Sequence, residues 1–379
     1  MDSIRSYLRS RRQEMVNLCR ELVECESPSD DPAAVARFVD LVCEKTAGMA
    51  TMRRIPGGQF GPHLQCEFDL PGANKEGQIL LLGHSDTVWP VGTLKQMPFR
   101  EADNRLWGPG VLDMKAGIVL LLFAVRALRE LDLPVSRRVV MQLNSDEEVG
   151  SYSSRPLTEE EARRSVAVLV LEPATGLEGK LKTARKGVGD YTIVVHGKAA
   201  HSGLDFAAGA SAVVELAKQI QRITRFTRLE RGITVNPGVI SGGTRPNVVA
   251  AEARVEVDMR VMRTKDAAAL DRKFRRLQPV DPRCRIEVSG GLKRPPMERT
   301  EGVVALFRKA QAVAAEMGIE LEESLSGGAS DGNFTAALGI PTLDGLGAVG
   351  EGAHAQHESI LVERLDERAA LLAGLLRAV

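Results

Sequence analysis

Neither sign of charge predominates in this chain: 50 Lys and Arg stand against 50 Asp and Glu over 379 residues. With no net field to draw a polyanion, neither nucleic acid nor a membrane surface is expected as a partner. Cysteine is scarce and unpatterned. Cys19, Cys25, Cys43, Cys66 and Cys284 are odd in number and form no CxxC pair, which argues against a disulfide framework and against a thiolate zinc site. That usage fits a reducing compartment, and a cytoplasmic location is expected. Long apolar runs are also missing; the longest, Ile118 to Val125, is too short to cross a bilayer. The N-terminal stretch MDSIRSYLRSRRQEMVNLCREL is broken by charges and has no small-residue cleavage site, so it does not read as a signal peptide. Ile4, Leu8, Met15, Leu18 and Leu22 recur there at helical spacing and predict an amphipathic first helix. Repeats and low-complexity segments are absent, and disorder is not indicated.

What is present is an ordinary soluble balance, 44% apolar and 26% charged residues, in a chain long enough for two domains. Short β-like runs alternate with helical patterns: ILLLG at 79 to 83, a helix over 115 to 131, VVMQLNS at 139 to 145 and VAVLVLE at 166 to 172. Strands apolar on both faces and separated by helices predict a layered α/β/α domain. From about Lys186 the order becomes β-α-β-β-α-β, with period-two alternation over Ala253 to Val261, and helical patterning resumes at Val303. We therefore expect an α/β catalytic domain, 1-185 and 298-379, interrupted by a smaller α+β domain at 186-297.

Candidate chemistry gathers at the ends of the apolar runs, where α/β sheets place their sites. HSDTV puts His84 and Asp86 at the end of one strand. GPGVLDMKAG sets Asp113 just before a helix, where local reasoning favours a plain N-cap. SDEEVGS sets Asp146, Glu147 and Glu148 side by side despite their mutual repulsion. Glu172 ends VAVLVLE, an odd place for a surface acid, and GAHAQHESI carries His354 and His357. His, Asp and Glu converging without Cys is the donor chemistry of a catalytic divalent ion. A rival is GASDG at 328 to 332, which matches a nucleophile elbow, with Asp344 and His354 following Ser330 in hydrolase order. It lacks a strongly apolar strand before it, packs its partners into too short a span and gives the other sites no role. A further alternative is a binding or structural protein with acids merely on its surface, which the acid ending VAVLVLE disfavours.

Taken in order, HSDTV, GPGVLDMKAG, DEEVGS, LEPA, GKAAHSG, the 247 to 260 stretch, GGASDGNFTAALGIPTLDGLG and GAHAQHE resemble the zinc-dependent exopeptidase and amidohydrolase family (zinc metallopeptidase family 20). That family includes glutamate carboxypeptidase G, acetylornithine deacetylase, succinyl-diaminopimelate desuccinylase and aminoacylase, and the carboxypeptidase branch looks nearest. The resemblance implies a mixed-sheet catalytic domain with an inserted lid and dimerisation domain. It implies two zinc ions, for which Co or Mn could substitute. His84, Asp113 and Glu172 would hold one and Asp113, Glu148 and His354 the other, with Asp113 bridging. His354 is preferred to His357 because it stands four residues before Glu358. Asp86 would orient His84, Glu147 would be the general base, and His201 would donate to the oxyanion, often from the partner subunit of a homodimer. Arg260, with Asn247, Gly327 and Gly328, would grip a substrate carboxylate. A buried, loop-bonded His201 and an exposed strand-end Arg260 are the plainer alternatives. The implied activity is release of a C-terminal amino acid, glutamate or similar, from a peptide or N-acyl conjugate. An N-acyl amino acid deacylase using the same site, or a metal-binding protein without catalysis, are the alternatives.

Overall fold

The computed structural model describes residues 1–379. In chain order its helices and strands are α1 (Asp2–Ser10), α2 (Arg12–Glu24), α3 (Pro32–Thr46), β1 (Ala50–Ile55), β2 (His63–Phe68), β3 (Gln78–His84), β4 (Arg100–Ala102), β5 (Arg105–Trp107), α4 (Ala116–Glu130), β6 (Arg138–Asn144), α5 (Arg155–Arg163), β7 (Ala167–Val170) and β8 (Leu181–Arg185). These are followed by β9 (Gly187–His196), α6 (Ala212–Thr224), β10 (Thr234–Gly242), β11 (Glu252–Val261), α7 (Thr264–Arg275) and β12 (Arg285–Arg294). The chain closes with α8 (Glu301–Glu316), β13 (Glu323–Ser326), α9 (Gly332–Ala337), β14 (Thr342–Leu343), β15 (Gly350–Glu351), β16 (Ser359–Leu361) and α10 (Leu365–Ala378). Two compact units result, one formed by Met1–Ala184, Arg299–Ser326 and Ser330–Val379, the other by Arg185–Glu298 with Gly327–Ala329.

The first unit is built on a six-stranded sheet in the order β1-β2-β6-β3-β7-β14. β3, β6, β7 and β14 run parallel, whereas β1 and β2 are antiparallel to their neighbours, so the sheet is mixed. Ile79 and Leu81 of β3 pack with Met141, Leu169 and the apolar faces of α1, α2, α4, α8 and α10. Leu80 and Leu82, pointing the other way, meet Val140, Val168, Val170 and Ala162 of α5, with Leu338 and Ile340 at the margin. Period-two alternation in a sheet covered on both faces thus gives three layers, because each strand must bury both sides. α4, AGIVLLLFAVRALRE, is buried around almost its whole circumference, as a central helix requires. The expected single N-terminal helix is two: the chain bends at Arg11 (φ −104°, ψ 8°), which turns the stripe of Ile4 and Leu8 and that of Met15, Leu18 and Leu22 onto one core. Helix starts follow ordinary capping rules. Asp31 accepts from Ala33 and Ala34 N–H (3.0 and 2.9 Å) ahead of Pro32, and Thr300 accepts from Val303 N–H. No helix is long and apolar enough to cross a membrane.

The second unit follows β9-α6-β10-β11-α7-β12, with an antiparallel sheet ordered β10-β11-β9-β12. Tyr191, Ile193, Val195, Val255, Val257 and Met259 face α6 and α7, where the Tyr191 ring stacks on Phe274 with centroids 4.0 Å apart. The alternate residues form a polar face whose charges pair: Arg254 with Glu256, Arg260 with Asp258, Lys293 with Asp190. β10 is an edge strand; its register shifts between Pro237 and Val239, and Val239 and Ile240 are exposed.

Candidate metal centre

Parallel pairing in register sets the site. His84 at the end of β3 lies beside Asn144 at the end of β6, and Leu82 pairs with Val170 at the end of β7. The segments leaving these strands, carrying His84, Glu147 and Glu148, and Glu172, therefore emerge along one edge of the sheet. Asp113 comes in from the turn before α4, and His354 from the loop between β15 and β16.

Donor atoms of His84, Asp113 and Glu172 lie within 4.8 Å of one another, as do those of Asp113, Glu148 and His354. His84 Nε2 is 3.1 Å from Asp113 Oδ1 and 3.5 Å from Glu172 Oε1. His354 Nε2 is 3.4 Å from Asp113 Oδ2 and 3.2 Å from Glu148 Oε1. Asp113 thus gives one oxygen to each imidazole. Local reasoning makes it an N-cap, and the structure corrects that: α4 starts at Ala116 with Lys115 at the cap position and no side-chain cap, Asp113 lies two residues ahead of that cap, and both its carboxylate oxygens are taken up by His84 and His354. His354 has φ +62°, a costly conformation for a non-glycine residue and one typical of functional sites.

Two imidazoles and three carboxylates without sulfur form a fitting donor set for Zn2+, Co2+ or Mn2+. Their protonation points the same way. Burial works against charge on His84, yet its hydrogen bonds to Asp113, Asp86 and Glu172 outweigh it and hold the imidazole well above its ordinary value. Hydrogen bonds to Asp113 and Glu148 lift His354 to about 10. Burial opposes ionisation of Asp113, but the two imidazoles keep its carboxyl well below the usual range, while burial pushes Glu148 up. The cluster calls for positive charge at its centre.

The neighbouring side chains hold the donors in place. His84 Nδ1 meets the Asp86 main-chain carbonyl at 2.9 Å, which leaves Nε2 facing Asp113 and Glu172. The Asp86 carboxylate, 3.5 Å from that ring nitrogen, chiefly accepts from Glu147 N–H (3.2 Å), Glu148 N–H (3.1 Å) and the Ser29 hydroxyl (2.7 Å). The three adjacent acids separate in this turn: Asp146 is buried and accepts from Ser153 N–H and Oγ–H, while Glu148 faces Asp113 and His354. Glu172 is 8% exposed, and Gly347 N–H binds its carbonyl at 2.8 Å. Buried Arg368 in turn donates to the carbonyls of Gly347, Gly179 and Gly345. Sequence reasoning misses Glu358 except as a spacing mark. Fully buried, it accepts from Leu112 N–H (2.8 Å), Gly110 N–H (3.0 Å), Asp113 N–H (3.1 Å) and the Trp89 indole (2.8 Å). The nucleophile-elbow arrangement is not formed: Ser330, buried, donates to Asp344 at 2.7 Å, and His354 belongs to the acid cluster instead.

In the second unit His201 is exposed, unlike the buried ring of the plainer reading, and its Nδ1 accepts from Gly203 and Leu204 N–H at 3.1 and 3.2 Å. The proton therefore sits on Nε2, which is left as a donor. Asn247 is alongside: Ser202 N–H binds its carbonyl at 3.0 Å, and His201 bridges Val248. Arg260 is near the other end of β11, paired to Val188, with its guanidinium on Asp258. Gly327 and Gly328 group with this second unit, and Gly328 accepts from Arg185, which leads into β9 at that same end. At about 3.3 Å per residue, β11 separates Asn247 from Arg260 by roughly 25 Å or more. The structure gathers Arg260 with the glycine pair, and Asn247 with His201, but does not bring the two groups together.

The sequence matches the model of peptidase family M20/M25/M40 over residues 80–378. The chain belongs to that family. As a member of peptidase family M20/M25/M40 it is a hydrolase of the metallopeptidase and amidohydrolase type. Carboxypeptidase G2 of Pseudomonas sp. (strain RS-16) is 28% identical over 346 residues, covering 90% of this chain and 83% of that protein. Among solved structures, aminopeptidase PepT of Bacillus cereus ATCC 10987 superposes with a TM-score of 0.82 at 23% identity, covering 97% of this chain and 98% of that one. Bacillus subtilis YXEP, described as a dinuclear metal binding peptidase from the M20 family, gives a TM-score of 0.71 at 16% identity, covering 97% and 98%. At these identities the structural likenesses establish the M20 fold, a mixed-sheet α/β domain with a smaller inserted domain.

Proposed function

We propose that this chain is a dinuclear-metal hydrolase that cleaves the amide bond next to a C-terminal amino acid, glutamate or a similar residue, of a peptide or N-acyl conjugate. The observation that carries the reading is Asp113, whose two oxygens face His84 and His354 at the junction of two donor triads. His84, Asp113 and Glu172 hold one ion and Asp113, Glu148 and His354 the other, with zinc as the native metal and Co2+ or Mn2+ compatible with the same donors. When bound, such ions polarise a carbonyl and lower the pKa of water. Glu147, next to the ligand Glu148 and with its N–H anchored on Asp86, takes the proton of the attacking water and returns it to the departing amine. Asp86 orients both His84 and this turn. His201 offers Nε2–H to the oxyanion. The Arg260 fork, released from Asp258, binds the free carboxylate of the substrate beside Gly327 and Gly328.

Because His201 and Asn247 stand at the opposite end of β11 from Arg260, one chain cannot present both groups to one small substrate. We read the unit Arg185–Glu298 as a lid and dimerisation domain, with His201 and Asn247 serving the site of the partner subunit in a homodimer. The exposed apolar residues of edge strand β10, Val239 and Ile240, and of α6, Val213 and Val214, support such pairing. Five free cysteines accord with a cytoplasmic setting.

The test is a panel of dipeptides and N-acyl amino acids assayed before chelation, after it, and with Zn2+, Co2+ or Mn2+ restored. Activity should vanish on chelation, return with metal, and be highest where glutamate is released. Full turnover after exhaustive chelation would refute the reading, and a preference set by the acyl group rather than the released residue would move the enzyme to the deacylase branch.

A further inference from the structure

Glu358 is a carboxylate with no exposure to solvent and no cation among its hydrogen-bond partners, yet four N–H groups converge on it. Its position is set by a ladder. Ser359, the next residue, pairs with Trp107 of β5, and Gly108 N–H lies 3.4 Å from the Glu358 carbonyl. From this scaffold the side chain reaches into the turn between β5 and α4. Oε1 takes the N–H of Leu112 and of Asp113 itself, while Oε2 takes Gly110 N–H and the Trp89 indole. Glu358 N–H also closes on the Ala355 carbonyl, one residue past His354. One buried group thus fixes the backbone of Asp113 and the end of the loop carrying His354.

We propose that Glu358 is the positioning residue of the shared aspartate: its carboxylate pre-forms the 110–113 turn so that Asp113 presents Oδ1 to His84 and Oδ2 to His354 before any ion arrives. The proposal rests on the reading that these side chains hold two metal ions. Glu358 reaches no ligating atom of either triad and acts only through the Asp113 backbone and the His354 loop. Glutamine at this position keeps one acceptor for Leu112 and Asp113 but sets an NH2 group against Gly110 N–H and the indole. Alanine leaves all four donors without an acceptor.

The experiment is a Zn2+ titration of chelator-treated wild type, Glu358→Gln and Glu358→Ala, by competition with a chromogenic chelator at a temperature well below each melting point. Wild type should take up two equivalents. Affinity should fall about 10- to 100-fold in Glu358→Gln and further in Glu358→Ala, the range for losing a group that orients a metal ligand. Unchanged affinity and stoichiometry in a folded Glu358→Gln, even with a lowered melting temperature, would overturn the proposal and leave Glu358 a stability residue. Wild type failing to bind two equivalents would instead refute the dinuclear reading itself, and this inference with it. Hydrogen exchange in the wild type alone tests the same point without any substitution. In the metal-free protein the amides of Gly110 and Leu112 should exchange as slowly as those of β5, and rapid exchange there would show that the turn is not pre-formed.

Discussion

The two regions that carry candidate chemistry are built on opposite plans. In the first unit, His84, Glu148 and Glu172 come off the edge of a buried sheet and Asp113 comes from the turn before α4, each with a neighbour fixing its backbone or ring. In the second, His201 and Asn247 are exposed, and Arg260 is held by Asp258 on an open sheet face. Side chains held from several sides along a buried sheet have fixed geometry, whereas those on an exposed face are held by one or two local partners. The first set is complete within one chain. The second is split between the two ends of one strand.

The largest effect that sharpens this contrast is on the rigid side. Glu147→Gln should retain both metal equivalents while turnover falls at least about a thousandfold, within the usual range for loss of a general base; near-normal turnover would move the base elsewhere. On the exposed side, His201→Ala should lower kcat about 100- to 1000-fold, as for removal of an oxyanion donor, with metal content unchanged. The contrast itself breaks or holds in a mixing experiment. If His201 serves the partner's site, co-refolded His201→Ala and Arg260→Ala chains should recover about a quarter of wild-type activity, since half the dimers then hold one intact site. No recovery would put both residues to work within one chain. Metal removal should lower the melting temperature in proportion to about 2.7 kcal/mol for each of the two ions at a metal concentration 100 times Kd, read by calorimetry with and without chelator; no shift would deny that the rigid set is organised around ions.

The smallest expected effect concerns His63, buried behind the Glu147 turn. Its Nδ1 accepts from Ser145 N–H at 3.1 Å, and burial pushes its imidazole below the ordinary value. A folded pKa below the unfolded one means that the neutral ring contributes stability above the unfolded pKa, and that this is lost as pH falls toward the folded one. His63→Gln should therefore flatten the loss of stability between about pH 7 and pH 5 by on the order of 1 kcal/mol, the scale of one buried hydrogen bond. Equal slopes in denaturant titrations of the two proteins would exclude His63 as the source.

Much of this is legible in residue order. Apolar runs ending in His84 and Glu172 mark strand ends, and the β-α-β-β-α-β pattern marks the inserted unit, because period-two and period-3.6 burial are properties of local sequence. Asp113 reads locally as an N-cap because the Val111–Lys115 turn that sets it two residues ahead of the cap, and the His84 and His354 partners that take up its carboxylate, are invisible in the local sequence. Glu358 escapes notice because its four donors lie some 245 residues or more upstream. A signal is there all the same: like Glu172, it is an acid set against an apolar strand, here SIL. The separation of Asn247 from Arg260 can be counted from strand rise alone.

The order of the donors along the polypeptide has a consequence for biosynthesis. His84, Asp113, Glu148 and Glu172 precede the interrupting unit Arg185–Glu298 and are made before it, whereas His354 and Glu358 follow it. Until the segment carrying His354 has been synthesised, a nascent chain can therefore gather only the triad of His84, Asp113 and Glu172, and the second triad waits on the strands after the interrupting unit.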